Sequence, residues 1–274
     1  MSKIKLIAMD MDGTLLDSSK KVPAENVAAL EEAYEQGIHL AICSARMPGD
    51  VGLYALENGL KHCTLLASNG AYCTHSLEEE PFVNHCFDDT AAQRVVELFH
   101  RAGITFFCAA QNQRVLFEYE PGIRWDLSYQ HNGHPLAPVV HRDPAAYEFI
   151  RKAGMNKIAC ISMHPEKFEA VRDELEKIEG IVVTASGKTN LELMPAGCSK
   201  GTAVERLAQK LGLTAEQVMV FGDYDNDESM FRYAGWPVAM GNGCEKIRRM
   251  ARLITLTNDE AGIAWAVRRY ALNQ

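Results

Sequence analysis

Two carboxylates separated by one residue, Asp10-Met11-Asp12, stand directly after an apolar run at residues 4–9 and are followed by Gly13, Thr14, Leu15 and Leu16. Residues i and i+2 of extended backbone point the same way, so both acids would face one space. One could attack an electrophile or bind a metal while the other passes a proton to or from a leaving oxygen. Gly13 would let the chain turn sharply beside them. Cys43-Ser44-Ala45-Arg46 follows a second apolar run. A hydroxyl with free backbone N–H groups at a strand-to-helix turn can hold phosphate; Ser44 taken alone could equally start a helix. Ser199-Lys200-Gly201 opens an amphipathic stretch, and Lys200 could offset charge on both Asp10 and a phosphoryl group. Gly222-Asp223-Tyr224-Asp225-Asn226-Asp227 follows residues 218–221 and offers the oxygen ligands that Mg²⁺ prefers.

The apolar runs that must position these groups, at residues 4–9, 38–43, 64–67, 218–221 and 238–240, are continuous rather than alternating. That pattern predicts strands covered on both faces, as in a parallel sheet. Between the first two, Val27, Leu30 and Tyr34 mark one face of a helix that stops at Gly37, completing a β-α-β unit. Later, Val204, Leu207, Ala208 and Leu211 mark another helix, and Thr214-x-x-Gln217 is a capping pattern before the next strand. Ligands of open α/β sheets bind beyond the carboxyl ends of the strands, where all four polar groups fall. Residues 84–188 differ. Helical patterns at 91–101 and 166–178, the latter with Phe168, Val171, Leu175 and Ile178 on one face, flank paired strands at 105–109 and 114–119 joined across Gln111-Asn112. The expected fold is α/β: a Rossmann-like parallel-sheet core at 1–84 and 190–274, with an inserted α+β segment at 85–189.

Composition narrows the function. With 274 residues, 47% hydrophobic and 23% charged, the chain is neither disordered nor fibrous. Its 28 Lys+Arg against 36 Asp+Glu give a net charge of −8, no basic footprint for nucleic acid, so phosphate binding would need local cations. No run approaches the ~20 apolar residues of a membrane span, and the amino terminus lacks a signal pattern. The eight cysteines are scattered without a C-x-x-C pair and are expected as free thiols in a reducing cytoplasm.

Asp10-x-Asp12-Gly13-Thr14, Ser44 after the second run, Lys200-Gly201 and Gly222-Asp223-x-x-Asn226-Asp227 resemble, in order, the four motifs of the haloacid dehalogenase (HAD) superfamily of phosphatases. The inserted segment resembles the cap of its Cof-type, or type IIB, sugar-phosphatase branch. Ser68-Asn69-Gly70-Ala71, Leu191-Glu192-Leu193-Met194-Pro195, Val238-Ala239-Met240-Gly241-Asn242-Gly243 and Asn258-Asp259-Glu260-Ala261-Gly262-Ile263 support that branch, and the resemblance spans nearly the whole chain. Where the branch commonly has Thr-Gly-Arg this chain has Ser44-Ala45-Arg46, and Gly243 stands where alanine is usual; neither change removes a functional group.

The resemblance implies a Mg²⁺-dependent phosphatase. Asp10 would be the nucleophile that forms an aspartyl-phosphate, and Asp12 the general acid and then the base. Mg²⁺ would be held by the Asp10 carboxylate, the Asp12 main-chain carbonyl and Asp223, with Asn226 and Asp227 beside it. Ser44, Ala45, Lys200, Asp12 and Gly13 would surround the phosphoryl group. The substrate would be a small phosphorylated metabolite, a sugar phosphate first and pyridoxal phosphate or flavin mononucleotide next. Arg46, Asn69, Lys188 and Asn190 are candidate substrate contacts. Residues 119–142, with Arg124, Trp125, Tyr129, His131, His134, His141 and Arg142, could roof the ligand or pack as an ordinary loop. His131 and His134 lack a partner at zinc spacing. Hinges are expected near 82–88 and 186–192. A phosphohexomutase of the same fold, from which formation of inorganic phosphate separates a phosphatase, or a phospho-aspartate signalling module, which a long-lived phospho-Asp10 would favour, would use similar groups. Neither a nucleic-acid nor a membrane partner is expected, and the chain would be a monomer or homodimer.

Overall fold

A computed structural model describes residues 3–120, 137–185 and 189–272. In chain order it contains β1 (Leu6–Met9), α1 (Ala24–Glu35), β2 (His39–Cys43), α2 (Pro48–Glu57), β3 (Cys63–Ala67), β4 (Tyr72–Thr74) and β5 (Val83–Asn84). Next come α3 (Asp89–Ala102), β6 (Thr105–Ala110), β7 (Gln113–Phe117), β8 (Val139–His141), α4 (Tyr147–Lys152), β9 (Lys157–Ile161), α5 (Pro165–Leu175), β10 (Ile181–Thr184) and β11 (Asn190–Pro195). The chain ends with α6 (Lys200–Lys210), β12 (Val218–Gly222), α7 (Glu228–Tyr233), β13 (Trp236–Ala239), α8 (Glu245–Met250), β14 (Leu253–Ile254) and α9 (Gly262–Tyr270). Among the described residues no helix is long and apolar enough to cross a membrane.

The first sheet has the order β14-β13-β12-β1-β2-β3-β4-β5, parallel from β14 to β3 and closed by the antiparallel β4 and β5. The strands β1 and β12 are apolar and buried at every position because both faces are covered. Ile7, Met9 and Phe221 face α1 and α9, whereas Leu6, Ala8, Val218 and Val220 face α6, α7 and α8. One helix face differs from expectation: α1 buries Asn26, Ala29, Leu30 and Ala33, while Tyr34 is 41% exposed and stacks on His62. The reason is α9, which lies against α1 and donates its Ala264 N–H to Asn26 Oδ1 at 2.9 Å. Small residues on α1 permit that approach, where a tyrosine would hold the helices apart.

The second sheet has the order β10-β11-β9-β6-β7-β8, antiparallel except for β7 with β8. Alternate residues divide its faces. Phe106, Cys108, Val115, Ile158, Cys160, Leu191 and Leu193 pack beneath α3, α4 and α5, together with Phe168, Val171, Leu175 and Ile178. Phe107, Ala109, Leu116 and Ala159 turn the other way, toward the first sheet, and meet its Met47. The expected β6–β7 hairpin turns at Gln111, whose φ is 53°.

The boundary at 189/190 requires correction. The strand beginning at Asn190 pairs with β9 and β10, so Leu191 and Leu193 belong to the second core. The chain returns to the first sheet only after Pro195, so the second crossing is at 196–199 rather than 186–192, and the first lies between β5 and α3. Helix α3 starts at that first crossing on a built cap, with Asp88 Oδ1 accepting from Thr90 N (2.9 Å) and Ala91 N (3.2 Å). Asp88→Ala should lower stability by about 1 kcal/mol and the melting temperature by about 2 °C, read by circular dichroism. An unchanged melt would show that this cap does not support the second unit.

Candidate active site

Strand register brings the chemistry together. Met9 on β1 is level with Phe221 on one side and Ile42 on the other, so Asp10, Asp223 and Ser44 all emerge at the same edge. The Asp10 N–H still donates to Phe221 O at 3.0 Å, after which the chain winds back, with Leu15 N bonded to Asp10 O and Leu16 N to Met11 O. Gly13 sits at φ +83°, and a Cβ there would lie 2.5 Å from Asp223 Oδ2, so only glycine fits. Distant segments fasten this loop. Asn242 Nδ2 donates to Gly13 O (2.8 Å), Asn258 Nδ2 to Leu16 O (2.9 Å), and Ser18 N and Oγ to the Asp259 carboxylate (2.7 Å each).

Lys200 is the first residue of α6, whose N-cap Ser199 forms a reciprocal capping box with Thr202. Gly201 lets the helix start sink against α7, since a Cβ there would meet Ser229 O at 2.3 Å. The lysine side chain is wholly buried, and its Nζ lies 2.5 Å from Asp10 Oδ1 and 2.6 Å from Asp227 Oδ1. Asp227 is equally buried, and its other oxygen accepts from Asp223 N (2.8 Å) and Tyr224 N (3.1 Å). Thr14 Oγ1 donates to Asp223 Oδ1 at 2.8 Å, which orients the third carboxylate.

Two carboxylates therefore hold one ammonium, and a third, Asp223, lies beside them. Oxygens of Asp10, Asp223 and Asp227 lie within 4.8 Å of one another. Burial pushes the Asp10 carboxyl well above the usual carboxylate range; Lys200 opposes the shift, and Asp227 and Asp223 add to it. Asp223 is pushed up to about 6, by burial first and the Asp227 charge next. Burial works against the charge on Lys200, but Asp10 and Asp227 hold it firmly protonated. Such a cluster fits a hard divalent cation with oxygen ligands. Asp227 is fully engaged by Lys200 and two backbone N–H groups, whereas Asp10 and Asp223 each keep an oxygen that no described donor occupies.

Asp12 is held apart from that cluster. Arg46 grips it with two bonds, Nε to Oδ2 at 2.8 Å and a terminal nitrogen to Oδ1 at 2.6 Å, and Lys20 Nζ adds a third at 2.9 Å. Burial alone would raise its pKa, but Arg46 and Lys20 outweigh burial and hold it below the ordinary value.

Asp10, Asp12, Ser44 and Asp223 line one side of a cleft of about 440 Å³, and Phe107, Arg114, Lys157 and Glu192 of the second sheet line the other. Ala45, Arg46, Asn190 and Asn226 also border it. Ser44 is buried in the turn after β2, its Oγ accepting from Arg46 N at 3.2 Å. It does not start a helix, because α2 begins at Pro48 behind Met47. Asn69 is not among the residues that border this cleft; its amide spans the seam between the sheets to Glu192 Oε2 at 2.9 Å. Lys157 Nζ bonds Ala45 O and lies 3.3 Å from Glu192 Oε1, so a chain of bonds joins the two sheets across the cleft wall. Lys188, Arg124, Trp125, Tyr129, His131 and His134 fall outside the described residues. His141 and Arg142 are taken up by Gln113 and Glu118 and do not border the cleft.

Several participants escape sequence reasoning. Thr14 and Asn242 were visible only as motif members without a role. Lys20 lies in a polar loop whose fold brings it back on Asp12. Glu192 could have been found by alternation, since it stands between Leu191 and Leu193, which face the opposite side of the second sheet, whereas Arg114 follows Gln113 and Lys157 follows Asn156 and neither carries that signal.

The sequence profile of the haloacid dehalogenase-like hydrolases matches residues 7–267. The chain belongs to that family. Within it the chain is a Cof-type phosphatase. It is 32% identical to "Phosphatase YwpJ" of Bacillus subtilis, across 95% of this chain and 98% of the other. It is 27% identical to "5-amino-6-(5-phospho-D-ribitylamino)uracil phosphatase YwtE" of the same organism, across 96% of this chain and 97% of that protein. A solved haloacid dehalogenase-like hydrolase from Bacteroides thetaiotaomicron superposes with a TM-score of 0.84 at 28% identity, covering 97% of this chain and 99% of its own.

Gly13→Ala should lower turnover of a phosphomonoester about 10²-fold, the scale of a displacement of roughly an ångström at a reacting group, with the far-ultraviolet circular dichroism preserved. Wild-type turnover would show that the close approach of Gly13 to Asp223 is not required.

Proposed function

We propose that this phosphatase is a Mg²⁺-dependent hydrolase of small phosphomonoesters that works through an aspartyl-phosphate on Asp10. What supports the reading most is the buried Lys200 shared by Asp10 and Asp227 beside Asp223. Asp10, Asp223 and the Asp12 main-chain carbonyl would hold the ion. When bound, Mg²⁺ supplies positive charge that permits a phosphate dianion to approach Asp10, where each pair of like charges at ~4 Å otherwise costs about 4 kcal/mol at an effective dielectric near 20.

The residues then divide the work. Lys200 fixes the rotation of the Asp10 carboxylate, which attacks phosphorus in line with the leaving oxygen. Ser44 Oγ, the Ala45 and Gly13 backbone and Lys200 hold the phosphoryl oxygens, a fixed set of dipoles that needs no rearrangement. Asp12 is ionised while Arg46 and Lys20 grip it. An incoming dianion competes for those two cations, and the carboxylate they release gains proton affinity. It can then protonate the leaving alkoxide. Ionised again, Asp12 takes a proton from the water that attacks phosphorus, which frees Asp10 and inorganic phosphate.

Sugar phosphates are the first substrate class, with pyridoxal phosphate and flavin mononucleotide next; the relative named for 5-amino-6-(5-phospho-D-ribitylamino)uracil adds that compound. All eight cysteines are free and six are buried, which fits a reducing compartment, and we place the enzyme in the cytoplasm.

Phosphate release from these compounds should require Mg²⁺, stop with EDTA and fall to background in Asp10→Asn. Asparagine keeps the volume, and Asp227 keeps Lys200 paired, so the fold should survive. Wild-type release by the variant would refute the nucleophile. The sign of the pH effect follows from Asp10 and Asp223, whose raised proton affinities mean that protons compete with the ion as pH falls. The Mg²⁺ concentration for half-maximal rate should therefore rise as pH drops from about 7.5 to about 5.5. A constant requirement would contradict Asp10 and Asp223 as ligands.

A further inference from the structure

Four described cations line the cleft, and three of them are already answered by carboxylates. Lys20 and Arg46 hold Asp12, and Lys157 is bonded to Glu192. Arg114 is the exception. It is 7% exposed, yet among the described residues it makes no hydrogen bond or ion pair, and its Nε is buried with nothing to accept its proton. Asp50 and Arg142 are the charged groups that act on it, the first supporting its charge and the second opposing it, and neither reaches bonding distance.

Geometry makes this position a receptor rather than a packing accident. Arg114 on β7 is level with Ala109 on β6, and Ala109 with Lys157 on β9, so the small alanine leaves space between two cationic side chains on the face turned to the cleft. The guanidinium stands 5.6 Å from the centre of the Phe107 ring, which steadies it from one side. A planar fork of donors in a site of low dielectric matches carboxylate or phosphate oxygens. Burying a charge without a partner is unfavourable, so a residue kept in this state is complete only when an anion joins it. The cleft runs from Asp10 to Arg114, which places that anion on the part of the substrate away from the reacting phosphate.

We propose that Arg114 receives a second anionic group on the leaving group, so that the preferred substrates are phosphomonoesters carrying an additional carboxylate or phosphate. The inference rests on the phosphatase reading above and names its substrate class. Binding at Arg114 would draw the leaving group across Phe107 and align the reacting phosphate with Asp10.

The test compares matched substrates: glucose 6-phosphate with 6-phosphogluconate for a carboxylate, and fructose 6-phosphate with fructose 1,6-bisphosphate for a second phosphate. The wild-type enzyme should favour the more anionic member of at least one pair by about tenfold or more in kcat/KM, the scale of one charge-assisted contact. The pair that responds identifies the anion. Arg114→Met should reduce that ratio at least tenfold, mainly through KM, and Arg114→Lys should restore part of it. Methionine keeps the apolar stem and strands no partner, and a thermal melt reports whether the variant folds. Asp10-dependent release with no preference in either pair, or an Arg114→Met enzyme with the wild-type ratio, overturns this inference and leaves the phosphatase reading standing. Absence of Asp10-dependent release from every compound overturns both.

Discussion

A wholly buried ammonium shared by two carboxylates is the constraint around which this active site is arranged. Lys200 cannot be solvated where it lies, so it needs a carboxylate beside it; Asp10 and Asp227 both serve, and leaving such a buried charge with neither would cost about 3–5 kcal/mol. Meeting that requirement recruits much of the first sheet. β1 supplies Asp10, α6 supplies the lysine at its first residue, and the loop after β12 supplies Asp227, itself fixed by the N–H groups of Asp223 and Tyr224. Gly13 and Gly201 are small because the segments they join approach within contact of Asp223 and Ser229. One cation against three carboxylates leaves an excess of negative charge, and in the proposed mechanism that excess gives the site its need for Mg²⁺.

The second sheet contributes through the seam. Ala45 O, Lys157, Glu192 and Asn69 form a continuous polar chain between the two units, and Asn112 on the β6–β7 turn accepts the Gly49 N–H at 2.9 Å. Met47 packs among Phe107, Leu116 and Ala159 at the same seam, so the two units also meet through apolar contact beside the cleft. The same bonds tie down Lys157 and Glu192, which is why Arg114 stands out among the described residues as the cleft cation with capacity to spare.

Much of this was legible in the sequence. Continuous apolar runs ending in Asp10, Ser44 and Asp223 fix both the strands and the edge at which those residues gather, since parallel register aligns strand ends. Lys200 was visible from its place at a helix start. What could not be read are facts of long-range geometry. Nothing in its own segment tells that Lys20 returns to Asp12, or that Asn69 serves the seam rather than the cleft. Tyr34 misled because helical periodicity identifies an apolar face but not the neighbour, and α9 demands small residues on α1. The sequence expectation puts Asn190 with the first sheet, whereas its strand pairs with β9, because a strand that leads back to a core looks the same in sequence as one that completes a cap.

The claim that Asp10 carries the phosphoryl group has a direct test. An Asp12→Asn enzyme, lacking the base that activates water, would be mixed with a ³²P-labelled phosphomonoester and Mg²⁺, quenched in acid after increasing times, and digested for mass spectrometry. The account predicts a phosphoryl adduct on the peptide containing Asp10 that accumulates in the variant and turns over in the wild-type enzyme. Release of inorganic phosphate by the wild-type enzyme, with no adduct on Asp10 in either protein at any time, would contradict it.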